Sequence, residues 1–330
     1  MKTVFLPLSI VFWVGASALG QVAAKLLNDP VAKIEVTIRD EALSPVPNIE
    51  VIAVFPQSSD EFAKYRFVKK RAATGKDGGI VFADKTILNP SIGVQLAKHY
   101  ASGREVELNV NEGGQKDGQW LPIPFIEQLI LKKIIKPVPM YAVAAWPIVL
   151  PAKDGSFGFD LEKRDWVVPH GAGAKSDLIF TLEKKEDSVL GNSATLRVTF
   201  SNPSDGLIPL YELPGVESEL KLPRIAPMEG YEAERKFTTN WSPTRLPAPP
   251  TRPALGYLYR VRTVLDGKGQ VKSGLYGKID GEFEWDASNF PTAQVTFTYY
   301  LNPDGTQNLE FDRKKNLFLD LADEHIVRRP

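Results

Sequence analysis

Residues 34–55 read Ile-Glu-Val-Thr-Ile-Arg-Asp-Glu-Ala-Leu-Ser-Pro-Val-Pro-Asn-Ile-Glu-Val-Ile-Ala-Val-Phe. Ile34, Val36 and Ile38 alternate with Glu35, Thr37 and Arg39, and Ile49, Val51, Ala53 and Phe55 form a second alternating run. An apolar period of two marks a strand with one face on a core. Leu43 to Asn48, between the runs, carries Ser, Pro and Asn, which set turns. The stretch therefore predicts strand, turn, strand.

The same pattern extends outward. Thr74-Gly75-Lys76-Asp77-Gly78-Gly79 predicts a tight turn, because Asp-Gly supplies the positive φ a hairpin needs. Ile80-Val81-Phe82 resumes as strand, and Val94–Ala97, Val106–Val110 and Leu129–Leu131 look similar. Pro124 to Ile135 fits a short helix or a strand; Pro137 and Pro139 cut it short and favour strand. The alternating prolines of Lys136 to Tyr141 predict an extended linker. The boundary falls near Lys136, giving domains at 27–136 and 137–330.

Beyond the linker, Leu178–Leu182, Thr195–Phe200, Tyr257–Leu265, Val271–Ile279 and Val295–Leu301 read as strands. Asp266-Gly267-Lys268-Gly269 supplies a hairpin turn, and Asn302-Pro303-Asp304-Gly305-Thr306 another turn. Ser201 to Pro253, with prolines clustered at 243, 247, 249, 250 and 253, predicts loops around short strands. Leu317 to Pro330 fits a short helix with a frayed end. The fold expected is all-β: two antiparallel β-sandwich-like domains after a signal peptide.

That peptide is Met1–Gly20. Lys2 gives a short positive start, Thr3 to Val14 is mostly apolar, and small residues precede a cut before Gln21. No later stretch is long and apolar enough to span a bilayer. The 330 residues contain no cysteine, which excludes disulfides, thiolate nucleophiles and Cys-based metal sites. A bacterial lipoprotein anchor also needs a cysteine. Forty basic residues balance forty acidic ones, so no global field gathers nucleic acid or anionic membrane. Export without disulfides fits a bacterial periplasm, cell surface or secreted space.

The N-terminal segments IEVTIRDEALSPVPNIEVIAVF and TGKDGGIVF together resemble the carboxypeptidase regulatory-like domain, a transthyretin-like β-sandwich, over roughly Lys33 to Ile135. Phe62 to Lys70 adds a charged segment between the two motifs. The resemblance implies a non-catalytic module that binds or spaces something. The phrases GFDLEKRDW, LYGKIDGEF and TYYLNPDGTQNLEFD resemble wording in bacterial exported proteins and bring no activity with them.

Catalytic patterns are incomplete. Gly171-Ala172-Gly173-Ala174-Lys175-Ser176 lacks the spacing and following helix of a phosphate loop. Gly155-Ser156-Phe157-Gly158 is one residue short of a nucleophile elbow. His170, near Asp160, Asp165 and Trp166, has no evident nucleophile, and His99 and His325 read as surface, packing or tail residues. Glu282 and Glu284 share a strand face about 7 Å apart, whereas glycosidase carboxylates flank a substrate. Phe283 and Trp285 then face inward. Asn302, Asp304, Gly305 and Glu310 fall short of a calcium loop and read as turn chemistry. No catalytic, cofactor or metal residue is assigned.

The aromatics are the remaining handle. Trp120, Trp146, Trp166, Trp241, Trp285, Tyr257, Tyr259, Tyr276, Tyr299 and Tyr300 serve either as core or as a sugar-stacking platform. Trp166, Trp241 and Tyr299 are the candidate ligand-binding rings, and a regular strand turns one of Tyr299 and Tyr300 outward. The reading is an exported, non-enzymatic interaction or structural protein whose partner is a protein or glycan of the envelope, not nucleic acid. The alternative is a carbohydrate-binding module or a carboxylate-based glycan-processing enzyme. The Ser201–Pro253 loops are the first place to seek an interaction surface.

Overall fold

The computed structural model describes residues 29–59, 64–108, 114–153, 155–185, 192–241, 252–287 and 292–330. The expected signal segment lies outside them, as do Pro243, Pro247, Pro249 and Pro250. Among the described residues the one helical piece is a 3-10 turn at Asp323–His325, and the rest is strand and loop.

The N-terminal half contains β1 (Val31–Asp40), β2 (Glu50–Ser58), β3 (Tyr65–Ala73), β4 (Gly79–Lys85), β5 (Ser91–Val94), β6 (Ser102–Glu105), β7 (Gln115–Lys116), β8 (Gln119–Trp120) and β9 (Phe125–Leu131). One sheet runs β4-β1-β8-β7, with β9 also on β1; the other runs β3-β2-β5-β6. β1 pairs in parallel with β8 and β9, and the remaining pairs are antiparallel. The alternation in the quoted stretch sets which side is inside. Ala32, Ile34, Val36 and Ile38 meet Val51, Ala53, Phe55, Ile92 and Val94 between the sheets. Each of the larger side chains among these contributes roughly 1.5–3 kcal/mol on burial. The Asp-Gly turn forms with Gly78 at φ 75, where a Cβ would also stand 2.6 Å from the Ile38 carbonyl.

The C-terminal half contains β10 (Val138–Val149), β11 (Ser156–Asp160), β12 (Asp165–Trp166), β13 (Leu178–Lys185), β14 (Asn192–Thr199), β15 (Gly206–Leu210), β16 (Glu234–Trp241), β17 (Gly256–Leu265), β18 (Val271–Asp286), β19 (Gln294–Asn302) and β20 (Phe311–Asn316). A six-stranded sheet, β15-β17-β18-β19-β10-β20, faces a five-stranded one, β12-β11-β13-β14-β16. Only the β10–β20 pair is parallel. Where the first core is largely aliphatic, this one is an aromatic lattice. Phe159, Phe180, Phe283, Phe297 and Tyr299 pack with ring centroids 5.3 to 6.4 Å apart. Buried hydroxyls find carbonyls: Tyr299 donates to Leu161 O at 2.7 Å, and Tyr259 to Tyr300 O at 2.8 Å.

Four expectations change. Residues 138–141 are not linker but the start of β10; Val138 and Met140 are buried while Pro139 faces solvent. Part of the charged segment 62–70 is β3, a full strand along β2. The tail is not helical beyond the 3-10 turn, and it is docked: Tyr300 donates to the Arg329 carbonyl and Arg313 to that of Arg328. Tyr299 and Tyr300 are both buried: Tyr299 faces the core, and on the outer face Tyr300 packs beside its sheet neighbours Met140, Ala142 and Phe311 with Val327 of the tail against them.

The halves meet through polar groups around Glu310, a wholly buried carboxylate. It accepts the Tyr100 hydroxyl at 2.9 Å and the N–H groups of Ile135 and Lys136 at 2.8 and 2.7 Å. Arg224 ties Glu41 to the Lys133 carbonyl beside it. Gly103 donates to the Glu217 carbonyl and Glu219 to that of Ala101, with an added bridge between Ser102 and Ser218. Residues 217–219 thereby occupy the outer edge of β6. No strand among the described residues pairs with the far edge of β3.

Candidate functional site

Three polar clusters and one bare sheet face stand out among the described residues. The first cluster surrounds Arg262. The β17 backbone bulges between Val261 and Val264, placing Arg262 at φ 55, a conformation that costs a non-glycine residue about 1–3 kcal/mol. The buried Asp205 accepts the N–H groups of Arg262 and Thr263, both at 2.9 Å, and holds the bulge. The guanidinium then reaches across the sandwich to Asp177 through two hydrogen bonds of 2.8 Å and to Glu162 at 3.0 Å. Burial alone would lower its pKa; the hydrogen bonds and charge of Asp177, then of Glu162, reverse that and raise it.

The glycine-rich loop belongs to this cluster. Ala174 and Lys175 donate their N–H groups to Asp160 Oδ2, and Glu162 and Lys163 donate theirs to Oδ1, at 2.9 to 3.2 Å. Ala172 donates to Asp165 Oδ2 at 2.7 Å. A Cβ at Gly171 would collide with Asp165 and the Trp166 carbonyl. The loop does cradle anions, and they are the protein's own carboxylates. His170 is exposed and rests edge-on against Phe157. An open cleft lined by Lys175, Ser201, Asn202 and Thr263 lies above, but the carboxylates and arginine beneath it are already paired.

The second cluster holds Glu282. Its carboxylate accepts the Tyr257 hydroxyl and the N–H groups of Ala254 and Phe283, with Arg235 at 3.9 Å. Arg235 lies over the rings of Tyr211, Phe237 and Tyr257. Burial, then Glu282, pushes the Tyr257 hydroxyl pKa upward. Phe283 is in the core and Trp285 only partly covered, while Glu284 is exposed and unlinked to Glu282. The third cluster is the turn after β19. Asn302 accepts the Asp304 N–H, Asp304 accepts the Thr306 N–H, and Glu310 points away into the junction. These oxygens diverge instead of converging on a cation.

The candidate ligand-binding rings do not share a surface. Trp166 is 8% exposed, packed on Phe157, Phe159 and Phe180, with its indole N–H on the Val149 carbonyl. Tyr299 is 0% exposed. Both rings face the core. Trp241 ends β16, and its side chain lies outside the described residues.

Among the described residues, the large exposed Tyr, Phe or Trp rings are Tyr65 and Phe67, at 50% and 56%. β3 register puts Val68 and Lys70 opposite the core-facing Phe55 and Ala53, so Tyr65, Phe67, Lys69 and Arg71 project from the outer face. Phe67 stands beside Pro56, Lys69 beside Val54 and Arg71 beside Ile52. The row continues through Gly93 and Gly103, which face each other across β5 and β6. Gly103 has no room for a side chain, since a Cβ would stand 2.8 Å from the Ile92 carbonyl. The result is a strip without side chains that continues from Arg71 and Ile52 across the sheet, with the two rings about 7 Å apart farther along β3. The sequence signal was present as Tyr-x-Phe in a period of two, hidden by the surrounding charges.

No family model matches the chain, and no curated protein does. Among solved structures, a Streptococcal ancillary pilin aligns at 10% identity and TM-score 0.20, over 88% of this chain and 63% of the pilin. The chain thus spans less than two thirds of that protein. A Bacteroides uniformis protein provisionally described as carbohydrate-binding aligns at 11% identity and TM-score 0.17, over 82% of this chain and 96% of its own. Superpositions this loose leave the function to be read from the side chains.

Proposed function

We propose that the chain is an exported, non-enzymatic interaction module of a bacterial envelope or cell surface, and that it engages its partner through the outer face of the β3-β2-β5-β6 sheet. The observation that carries this reading is the pair Tyr65 and Phe67, half exposed on the outer face of β3 with no covering segment among the described residues. Large exposed apolar groups on such a face mark interaction sites. The acidic clusters serve as scaffold, their carboxylates engaged by backbone N–H groups and arginines. The signal-like segment supports export. For the N-terminal half as a carboxypeptidase regulatory-like domain, the support is that the first quoted motif forms a strand–turn–strand unit with β1 and β2 in opposite sheets, and the second a turn leading into β4.

The test is retention of the full chain on envelope fractions and on a panel of glycans. The expected result is retention by the wild type and loss in Tyr65→Ala/Phe67→Ala, with an unchanged melting temperature. Retention that survives the double substitution sinks the reading.

A further inference from the structure

We infer that the β3 face takes an acidic polysaccharide laid along the strand. This rests on the reading above and names the ligand chemistry of the same face. Five of the eight residues from Lys64 to Arg71 are basic, in a chain of zero net charge. Lys70 is turned inward and neutralised by Asp84 at 3.0 Å, and Arg71 meets Glu50 at 2.9 Å on the surface. Lys69 has no ion pair among the described residues and lies on the outer row, next after Phe67.

Edge strands commonly carry lysines to block pairing with other chains, and that accounts for the charges alone. It does not account for Tyr65 and Phe67, which project from the face and not along the edge. Two rings followed by a free lysine in one row, at intervals of about 7 Å, match a ligand that carries apolar faces and anionic groups along one chain. A pyranose chain bearing carboxylates is such a ligand: its C–H faces cover the rings while a carboxylate reaches Lys69, and a further one competes with Glu50 for Arg71. Gly93 and Gly103 place no side chain on the outer face across the sheet from Arg71. Exposed charge pairs are individually weak and screened by salt, so binding depends on several sugar units acting together.

The test uses the full chain in affinity electrophoresis with polygalacturonate, with dextran as the neutral glycan and single-stranded poly-dT as a non-glycan polyanion. The expected result is retardation by polygalacturonate alone, weakened about fivefold by Lys69→Ala/Arg71→Ala and abolished by Tyr65→Ala/Phe67→Ala. Retardation also fades as salt rises to about 0.5 M. Equal retardation by dextran, lost in the Tyr65/Phe67 variant, overturns the acidic ligand and leaves the interaction face standing. Stronger retardation by poly-dT overturns the glycan. Retardation indifferent to both double variants overturns the inference and the face together.

Discussion

The outer faces of two sheets, β3-β2-β5-β6 and the six-stranded sheet of the second half, carry similar ingredients and meet opposite fates. Each presents tyrosines and lysines in strand alternation. On the six-stranded sheet, Leu258, Tyr276, Lys278 and Tyr300 point outward. They are nevertheless buried, because Ala226, Leu309 and Val327, from segments outside the sheet, pack against them. On the β3 sheet, Tyr65, Phe67 and Lys69 point outward and stay in water. The loops after β15, rich in prolines and suggestive of an interaction surface, are instead part of the cover. The difference teaches that irregular segments, not strands, decide which sheet face is available.

The sharpest way to probe this contrast is to remove one ring from each face. Tyr300→Ala is expected to cost about 3–5 kcal/mol, the range for deleting a large buried side chain, whereas Phe67→Ala changes stability by no more than about 0.5 kcal/mol. Urea denaturation of both variants measures the gap; comparable losses would show that the β3 face is also covered. Removing the cover is the next test. Deleting residues 322–330 withdraws Val327 from Tyr300 and His325 from Trp146, and is expected to cost about 2 kcal/mol. Increased binding of a hydrophobic dye should accompany it.

Lys278 offers a smaller effect with a distinct sign. Its ammonium lies 4.7 Å from the Tyr300 ring centre and donates to the Leu309 carbonyl at 2.7 Å. Burial lowers its pKa from the usual 10.5 to about 7, against the pull of Asp280 and Glu310. Between those values the unfolded chain holds a proton that the folded chain has released. Stability therefore rises as pH increases from about 7 toward 10.5 and falls as pH drops, by at most about 1.4 kcal/mol per unit. Lys278→Met should remove that contribution and stabilise the protein at neutral pH by about 1–2 kcal/mol, once the orphaned Leu309 carbonyl is counted. Urea midpoints at pH 7 and 9.5 check both the slope and its loss. The smallest expected effect is Tyr65→Ala, within about 0.5 kcal/mol, and a larger one would assign the ring a structural duty.

The strands of residues 34–55 were legible because one face is wet, which makes the period of two visible. The Asp-Gly and Asn-Pro turns were legible because few residues accept their backbone angles, as Gly78 and Gly305 at φ 75 and 77 confirm. Burial on both faces erases the alternation in β17, so its pairing could be foreseen but not its surroundings. β3 was obscured differently: five basic residues masked an otherwise regular Tyr-x-Phe alternation. The choice of Trp166 and Tyr299 as ligand rings failed on burial, which is a property of what packs opposite them.

By itself, then, the sequence determined strand identity, turn positions and the all-β class, since those follow from local backbone preference and side-chain period. Only the tertiary structure decided where each carboxylate finds its partner, that the glycine-rich loop wraps Asp160 and Asp165, and that Tyr300 is covered while Tyr65 is bare. Those outcomes depend on contacts between residues far apart in the chain, such as Tyr100 with Glu310 and Asp177 with Arg262. A strand's alternation specifies two faces; what comes to lie on each is set by segments elsewhere in the fold.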